Sequence, residues 1–183
     1  MDEPGPSDPR IVAFLCRWCA GSGADLAGTS RMQYPPNAIP IRVNCSGRVE
    51  PEWVVEALKA GADGVFIGGC HPGDCHYVSG NYKARRRIHL LRRVLAELGI
   101  EPQRVALEWV SATEAARFTR LMTDFVAQVR ALGPGPYARP PAGAEPELAT
   151  AGPSATATAT ASSGAARPAE RAAERAADRR APW

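Results

Sequence analysis

The sequence predicts an α/β fold built as βαβαβαβα, a single open parallel four-stranded sheet with helices on both faces. Three observations lead to this prediction. Short apolar runs alternate with helical patterns along residues 10–132, turn residues separate them, and the connections are long enough for crossover helices. Right-handed crossovers limit the possible topologies, and we expect the strand order 2-1-3-4.

Four short runs are predicted to be strands, and the first of them, which is apolar throughout, is typical of a buried strand. They are residues 11–15 (IVAFL), 39–44 (IPIRVN), 64–68 (GVFIG) and 104–110 (RVALEWV).

The helices are predicted from apolar spacing and from residues that start or stop helices. A Gly/Ala-rich stretch ending at Met32 favours a short first helix. The second covers residues 50–60, with Pro51 in its first turn, where a missing N–H is tolerated. The third covers residues 82–98 and is followed by a stop glycine. The last follows a segment, SATE, that has the form of a capping box.

Composition divides the chain into three parts. Residues 1–9 form an expected flexible N-terminus, and residues 10–132 form the α/β domain. Residues 133–183 are expected to be a disordered Ala/Pro-rich tail, because few large apolar side chains are present there to offset the entropy of ordering.

Overall charge and hydrophobicity exclude several function classes. The net charge of +3 is too small to indicate nucleic acid as a partner. The apolar runs are far shorter than a membrane span, and the N-terminus has no basic and apolar leader pattern. We therefore expect a cytoplasmic protein with neither nucleic acid nor membrane as a partner.

The five cysteines all fall near the ends of predicted strands. Cys16 and Cys19 follow the first strand, Cys45 follows the second, and Cys70 and Cys75 lie in the loop after the third. Parallel strands end at one edge of a sheet, which is where open α/β folds bind their ligands. We therefore predict that all five thiols meet at this edge. In a reducing cytosol, such clusters are more often metal ligands than disulfides.

The cysteine spacing, C-x2-C, then a single C, then C-x4-C, suits an iron–sulfur cluster or zinc. Iron–sulfur is favoured because the second tight CxxC knuckle of a zinc ribbon is absent. Arg48 is predicted to offset the charge of a cluster. His71 and His76 are predicted to order the loop, with hydrogen bonds to cluster sulfur or ligation of iron, as in Rieske-type sites, as the alternatives. Glycines near the edge would let backbone N–H groups approach sulfur.

Two other functions stay open at this point. Cys16 and Cys19 form a CxxC between a strand and a helix, the placement found in thiol–disulfide oxidoreductases. A zinc-stabilised adaptor is the second alternative.

The arginines of the helix at 82–98 indicate a solvated face or a docking surface for an acidic partner. No nucleotide-binding or nucleophile motif is present, so the sequence indicates no catalytic residues.

Five blocks resemble the delta subunit of methyl-viologen-reducing (F420-non-reducing) hydrogenase. They are CRWCAGSGADLAG, QYPPN, IRVNCSGRVEPEWV, GADGVFIGGCHPGDCHYVSGNYKARRRI and LEWVSATEAARF. The resemblance covers residues 10–132. It implies a [2Fe–2S] protein that passes electrons between a hydrogenase or formate dehydrogenase and a heterodisulfide-reductase-type flavoprotein. The five cysteines of the family pattern fall on those of this chain, and one is surplus to the four that a cluster needs.

Overall fold

Four parallel strands form the sheet, in the order β2-β1-β3-β4, which confirms the predicted architecture and order. The computed structural model describes residues 8–137. The strands are β1 (Ile11–Cys16), β2 (Ala38–Val43), β3 (Gly64–Gly69) and β4 (Val105–Trp109). The helices are α1 (Ala20–Thr29), α2 (Pro51–Lys59), α3 (Gly80–Glu97) and α4 (Ala115–Leu132). Short 3-10 turns lie at Ser46–Arg48 and Pro102–Arg104.

Two hydrophobic cores, one on each face of the sheet, bury β1 and β3, whereas the edge strand β2 is largely exposed. Ala13 and Leu15 of β1 point to the core shared with α1 and α4. Phe14 and the partly buried Val12 point to the core shared with α2 and α3. Alternate residues of a strand face opposite sides of the sheet, so a strand covered on both faces must be apolar throughout.

Helix ends follow the predicted signals except at α4. Pro51 starts α2, and Gly61 and Gly99 take positive φ angles of 93° and 74° just beyond α2 and α3. In α4 the Glu114 carboxylate accepts from the backbone N–H of Ser111 at 2.7 Å, which is half of a capping box. The helix itself begins at Ala115, three residues later than that box would place it.

The predicted flexible N-terminus and disordered tail lie mainly outside the described residues, at 1–7 and 138–183. The described chain continues beyond Leu132, where the buried Arg104 guanidinium donates to the carbonyls of Leu132, Gly133 and Pro134. Asp63 accepts from the N–H of Gly135 at 2.7 Å. In the described part of the chain, no helix combines the length and hydropathy that crossing a membrane requires.

Candidate metal centre

All five cysteines lie buried at the carboxyl edge of the sheet, and each is a free thiol. Cys16 is the last residue of β1, and Cys19 occupies the N-cap position of α1. Cys45 stands two residues beyond β2, where the first 3-10 turn begins. Cys70 directly follows β3, and Cys75 lies in the loop that leads to α3. The residues thus come from three strand ends.

The sulfur atoms divide into a pair and a trio. The Sγ atoms of Cys45 and Cys75 are 3.7 Å apart. The Sγ atoms of Cys16, Cys19 and Cys70 all lie within 4.8 Å of one another, and Cys16 and Cys70 are 3.9 Å apart. Two thiolates bound to one tetrahedral metal, each at about 2.3 Å, are separated by about 3.8 Å. Both the 3.7 Å and the 3.9 Å separations therefore fit ligands of a common metal atom.

A close contact between two glycines brings Cys45 and Cys75 together. A Cβ on Gly47 would lie 2.6–2.9 Å from backbone atoms of Gly80, so the turn after Cys45 packs directly on the first residue of α3. A Cβ on Gly80 would lie 2.2 Å from Cys45 Sγ and 3.2 Å from Cys75 Sγ. Only residues without side chains leave room for two sulfurs at this point.

Backbone N–H groups point at the sulfurs of the pair. Burial raises the pKa of Cys45, while the N–H of Gly47, 3.4 Å from its Sγ, lowers it. Burial also acts to raise the pKa of Cys75, but backbone N–H groups of Tyr77, Asn81 and Gly80 and the Cys45 thiol lower it overall. Donors of this kind stabilise negative charge on sulfur, whether on a free thiolate or on a cluster.

Within the trio, hydrogen bonding among the thiols shifts their pKa values in opposite directions. The thiols of Cys19 and Cys70 lower the pKa of Cys16, and the backbone N–H groups of Trp18 and Ser46 lower it further. The same hydrogen bonds raise the pKa of Cys19, and the one to Cys16 raises that of Cys70 to about 11. Negative charges on sulfurs this close repel one another, so a metal ion would be needed to stabilise more than one thiolate in the trio.

The loop between Cys70 and Cys75 is fixed from two sides. The buried amide of Asn81 donates to the carbonyls of Cys70 and His71, at 3.2 and 2.7 Å. The His71 Nε2 lies 2.6 Å from a carboxylate oxygen of Glu114. This contact joins the loop to the segment that precedes α4.

His76 lies among aromatic side chains at the mouth of the site. Its ring stacks on Trp18, with the ring centroids 3.8 Å apart, and Tyr77 packs edge-on at 5.0 Å. The Trp18 indole N–H donates to the Tyr77 hydroxyl at 3.4 Å. Trp18 and His76 line an opening that leads to Cys19 and Cys70. Arg48 is exposed beside Cys45, and no hydrogen bond in residues 8–137 joins it to sulfur.

Sequence reasoning did not single out Gly80 or Asn81. Both are at the start of α3, beside the Cys75 loop, in a segment interpreted only as the approach to a helix. A glycine followed by asparagine a few residues after a pattern cysteine was the available signal, but it is equally typical of an ordinary turn.

Comparison with known proteins identifies the family. The family model described as methyl-viologen-reducing hydrogenase, delta subunit (FlpD), matches residues 11–133. The chain belongs to this family. The match spans β1 to the end of α4 and includes every cysteine, which confirms the resemblance noted in the sequence.

Sequences similar to this chain occur in two kinds of protein. An F420-non-reducing hydrogenase iron-sulfur subunit of Archaeoglobus profundus is 57% identical over 132 residues, which are 72% of this chain and 96% of that protein. The vhc iron-sulfur subunit of the F420-non-reducing hydrogenase of Methanococcus voltae is 57% identical over 127 residues, 69% of this chain and 88% of that protein. The ferredoxin:CoB-CoM heterodisulfide reductase of Methanosarcina mazei has a subunit that is 47% identical over 126 residues, 69% of this chain but 16% of that protein.

Proposed function

We propose that this chain is an electron-transfer subunit that holds one [2Fe–2S] cluster and passes electrons between a hydrogenase or formate dehydrogenase and a heterodisulfide-reductase-type flavoprotein. The main support for this proposal is the short distance between buried Sγ atoms, 3.7 Å between Cys45 and Cys75 and 3.9 Å between Cys16 and Cys70. The relatives support hydrogenase and heterodisulfide reductase as partners, since their names include subunits of both, and formate dehydrogenase stays a prediction from the family resemblance.

The geometry supports a specific ligand set. Each iron of a [2Fe–2S] cluster takes two protein thiolates. Cys45 and Cys75 supply one iron, because no other cysteine belongs to their group. Cys16 and Cys70 supply the other, because their separation fits a common metal. Cys19 is then the surplus thiol, close enough to the trio to replace a lost ligand.

The chain's own residues would hold the cluster and tune its potential. The bound cluster supplies a site that accepts and releases one electron at a time. The N–H groups of Gly47 and Gly80 favour the more negative, reduced state, and the stacked rings of Trp18 and His76 lie beside the ligands at the opening near Cys70. The roles predicted for Arg48, His71 and His76 as cofactor-binding residues, and the cytoplasmic location, stay predictions.

Burial argues against thiol–disulfide exchange by Cys16 and Cys19. Their exposed fractions are 1% and 4%, so a disulfide substrate could not reach either sulfur without rearrangement of the edge. Exchange requires direct attack of a thiolate on a substrate sulfur.

Zinc binding is a second candidate because one observation favours it. The trio of Cys16, Cys19 and Cys70 brings three thiol sulfurs within 4.8 Å, enough for three corners of a tetrahedral zinc site. In that case the pair of Cys45 and Cys75 would contribute at most one ligand, and the other thiol would stay free for alkylation.

The deciding experiment is a metal and sulfide assay on the full chain after anaerobic purification from iron-replete, zinc-poor medium. We expect about two iron atoms and two acid-labile sulfides per chain, and a rhombic paramagnetic resonance signal after reduction. One zinc with no iron would replace the proposal by the zinc adaptor. A colourless, metal-free protein after anaerobic reconstitution with iron and sulfide would reject the cluster, and failure to bind added zinc as well would reject both.

Single Cys→Ser variants test the ligand set. Cys45→Ser and Cys75→Ser are expected to abolish or strongly weaken cluster assembly, because no spare thiol lies in their group. Cys19→Ser is expected to retain iron and sulfide content, since it removes the surplus thiol. Loss of the cluster in Cys19→Ser together with its retention in Cys16→Ser or Cys70→Ser would overturn the assignment of the surplus residue.

A further inference from the structure

A cavity of about 310 Å³ opens beside the Cys45–Cys75 pair. Cys45 forms part of its wall, together with Arg48, Tyr77 and Lys83. The cavity is therefore a place where an external group can approach the edge of the metal centre. A second opening, of about 220 Å³, lies near Cys19 and Cys70, and the acidic Asp74 is among the residues that line it.

The larger cavity presents two cations that the described residues leave without partners. Arg48 and Lys83 are both exposed, and the side chain of neither forms an ion pair or a hydrogen bond within residues 8–137. The neighbouring Arg87 differs, because it contacts the Glu50 carboxylate at 3.1 Å and donates to the Gly47 carbonyl at 2.8 Å. Positive charge at the cavity is thus available to an external anion.

Apolar surface borders the same cavity. Tyr77 is 50% exposed, and the adjacent Val78 is 80% exposed. Val78 also has a φ of 66°, a left-handed conformation that is costly for a β-branched residue. Hydrogen bonding of its N–H to the Cys75 carbonyl at 2.8 Å helps to hold it there. An apolar side chain presented in this way, next to unpaired cations, is typical of an interaction surface.

We propose that this cavity and its border dock an acidic protein surface, with a carboxylate between Arg48 and Lys83 and apolar contacts on Tyr77 and Val78. The inference rests on the proposed function, because the docked protein is the one that exchanges electrons with the cluster. Contact at this point brings its redox centre close to Cys45, and electron transfer slows steeply with distance. Charge complementarity of this kind mainly increases the rate of association.

A binding measurement tests the docking surface without depending on electron transfer. Fluorescein-labelled polyglutamate serves as the acidic probe, and its anisotropy is followed with the full-length protein at low ionic strength. Lys83→Glu is expected to weaken binding about tenfold or more, since it reverses a charge at the cavity. The matched control is Arg120→Glu on α4, an exposed residue outside the cavity, which is expected to change binding less than about twofold.

A kinetic measurement tests whether electrons use the same surface. The reduced cluster gives one electron to the anionic oxidant ferricyanide, which reduces its iron from Fe(III) to Fe(II). In a separate reaction it gives one electron to the cationic oxidant hexaamminecobalt(III), which reduces its cobalt from Co(III) to Co(II). The rates of the two oxidations are compared. Lys83→Glu is expected to slow the anionic oxidant about fivefold and to accelerate the cationic one, with iron content per chain unchanged.

The outcomes separate the two proposals. Equal effects of Lys83→Glu and Arg120→Glu in both measurements, with the cluster intact, would overturn the docking surface alone. A larger effect of Asp74→Lys than of Lys83→Glu on the oxidation rates would overturn it in favour of the second opening. Absence of any cluster would instead reject the proposed function, and polyglutamate binding would still decide whether the cavity recognises acidic groups.

Discussion

Gly80→Ala gives a sharp test of how the metal centre is built. The Cβ added at Gly80 would lie 2.2 Å from Cys45 Sγ and 3.2 Å from Cys75 Sγ. Ordinary nonbonded contacts begin at about 3.5 Å, so the Cys45 sulfur or the start of α3 must move by more than about 1 Å. Metal ligands tolerate errors of about 0.2 Å. We expect the variant to lose most of its iron and sulfide.

The stability cost of Gly80→Ala can be estimated separately. Inserting one methyl group into a closely packed site costs about 1–3 kcal/mol when the neighbours cannot move freely. The added methyl faces sulfurs held by the Gly47 backbone, so little relaxation is available. Urea unfolding of the metal-free chain measures this cost, and the iron assay after anaerobic reconstitution measures loss of the cluster.

Gly28→Ala is the matched control. Gly28 lies in α1, and no atom is within 4 Å of the position its Cβ would take. Alanine favours the helix over glycine by about 1 kcal/mol, so this variant is expected to be slightly stabilised and fully loaded with iron. Normal iron content in Gly80→Ala, with a folded circular dichroism spectrum, would refute the steric argument.

Three further predictions concern the residues that support the site and the fold. Arg104→Ala is expected to lower the free energy of unfolding in urea by about 3–5 kcal/mol, because it removes a buried guanidinium that donates to four backbone carbonyls. An unchanged free energy of unfolding would contradict this. Asn81→Leu is expected to speed iron loss to a chelator severalfold, because the carbonyls of Cys70 and His71 lose their donor, and an unchanged rate would argue against that role. Hydrogen bonding from Arg104 lowers the pKa of Glu101 in the folded state. The ionised carboxylate therefore stabilises the fold above the unfolded-state pKa of Glu101, about 4.3. This contribution to the free energy of unfolding is lost as pH falls through the lowered folded-state pKa. Between about pH 5 and 3, the free energy of unfolding is therefore expected to fall more in the wild type than in Glu101→Gln. The difference should be less than about 1 kcal/mol, because Glu101 is half exposed. Parallel plots of unfolding free energy against pH for the two proteins would contradict this.

The sequence was sufficient to predict the sheet because the relevant signals are local. The predicted order 2-1-3-4 agrees with the structure, and the predicted strands differ from the observed ones mainly at their ends. The start of α4 was less predictable. The SATE segment has capping-box letters, but its Ser111 lies outside the helix and only the Glu114 half of the box forms.

The sequence by itself determined that five thiols would gather at one edge, because parallel strands end together and each cysteine group follows a strand. The sequence also contains the blocks that resemble the delta subunit of methyl-viologen-reducing hydrogenase. Only the tertiary structure decided how those thiols are grouped, since Cys45 and Cys75 are 30 residues apart and Cys16 and Cys70 are 54 apart. The spacing of Cys45 and Cys75 depends on how closely the start of α3 approaches the turn after β2, a contact between Gly47 and Gly80 that no local pattern encodes.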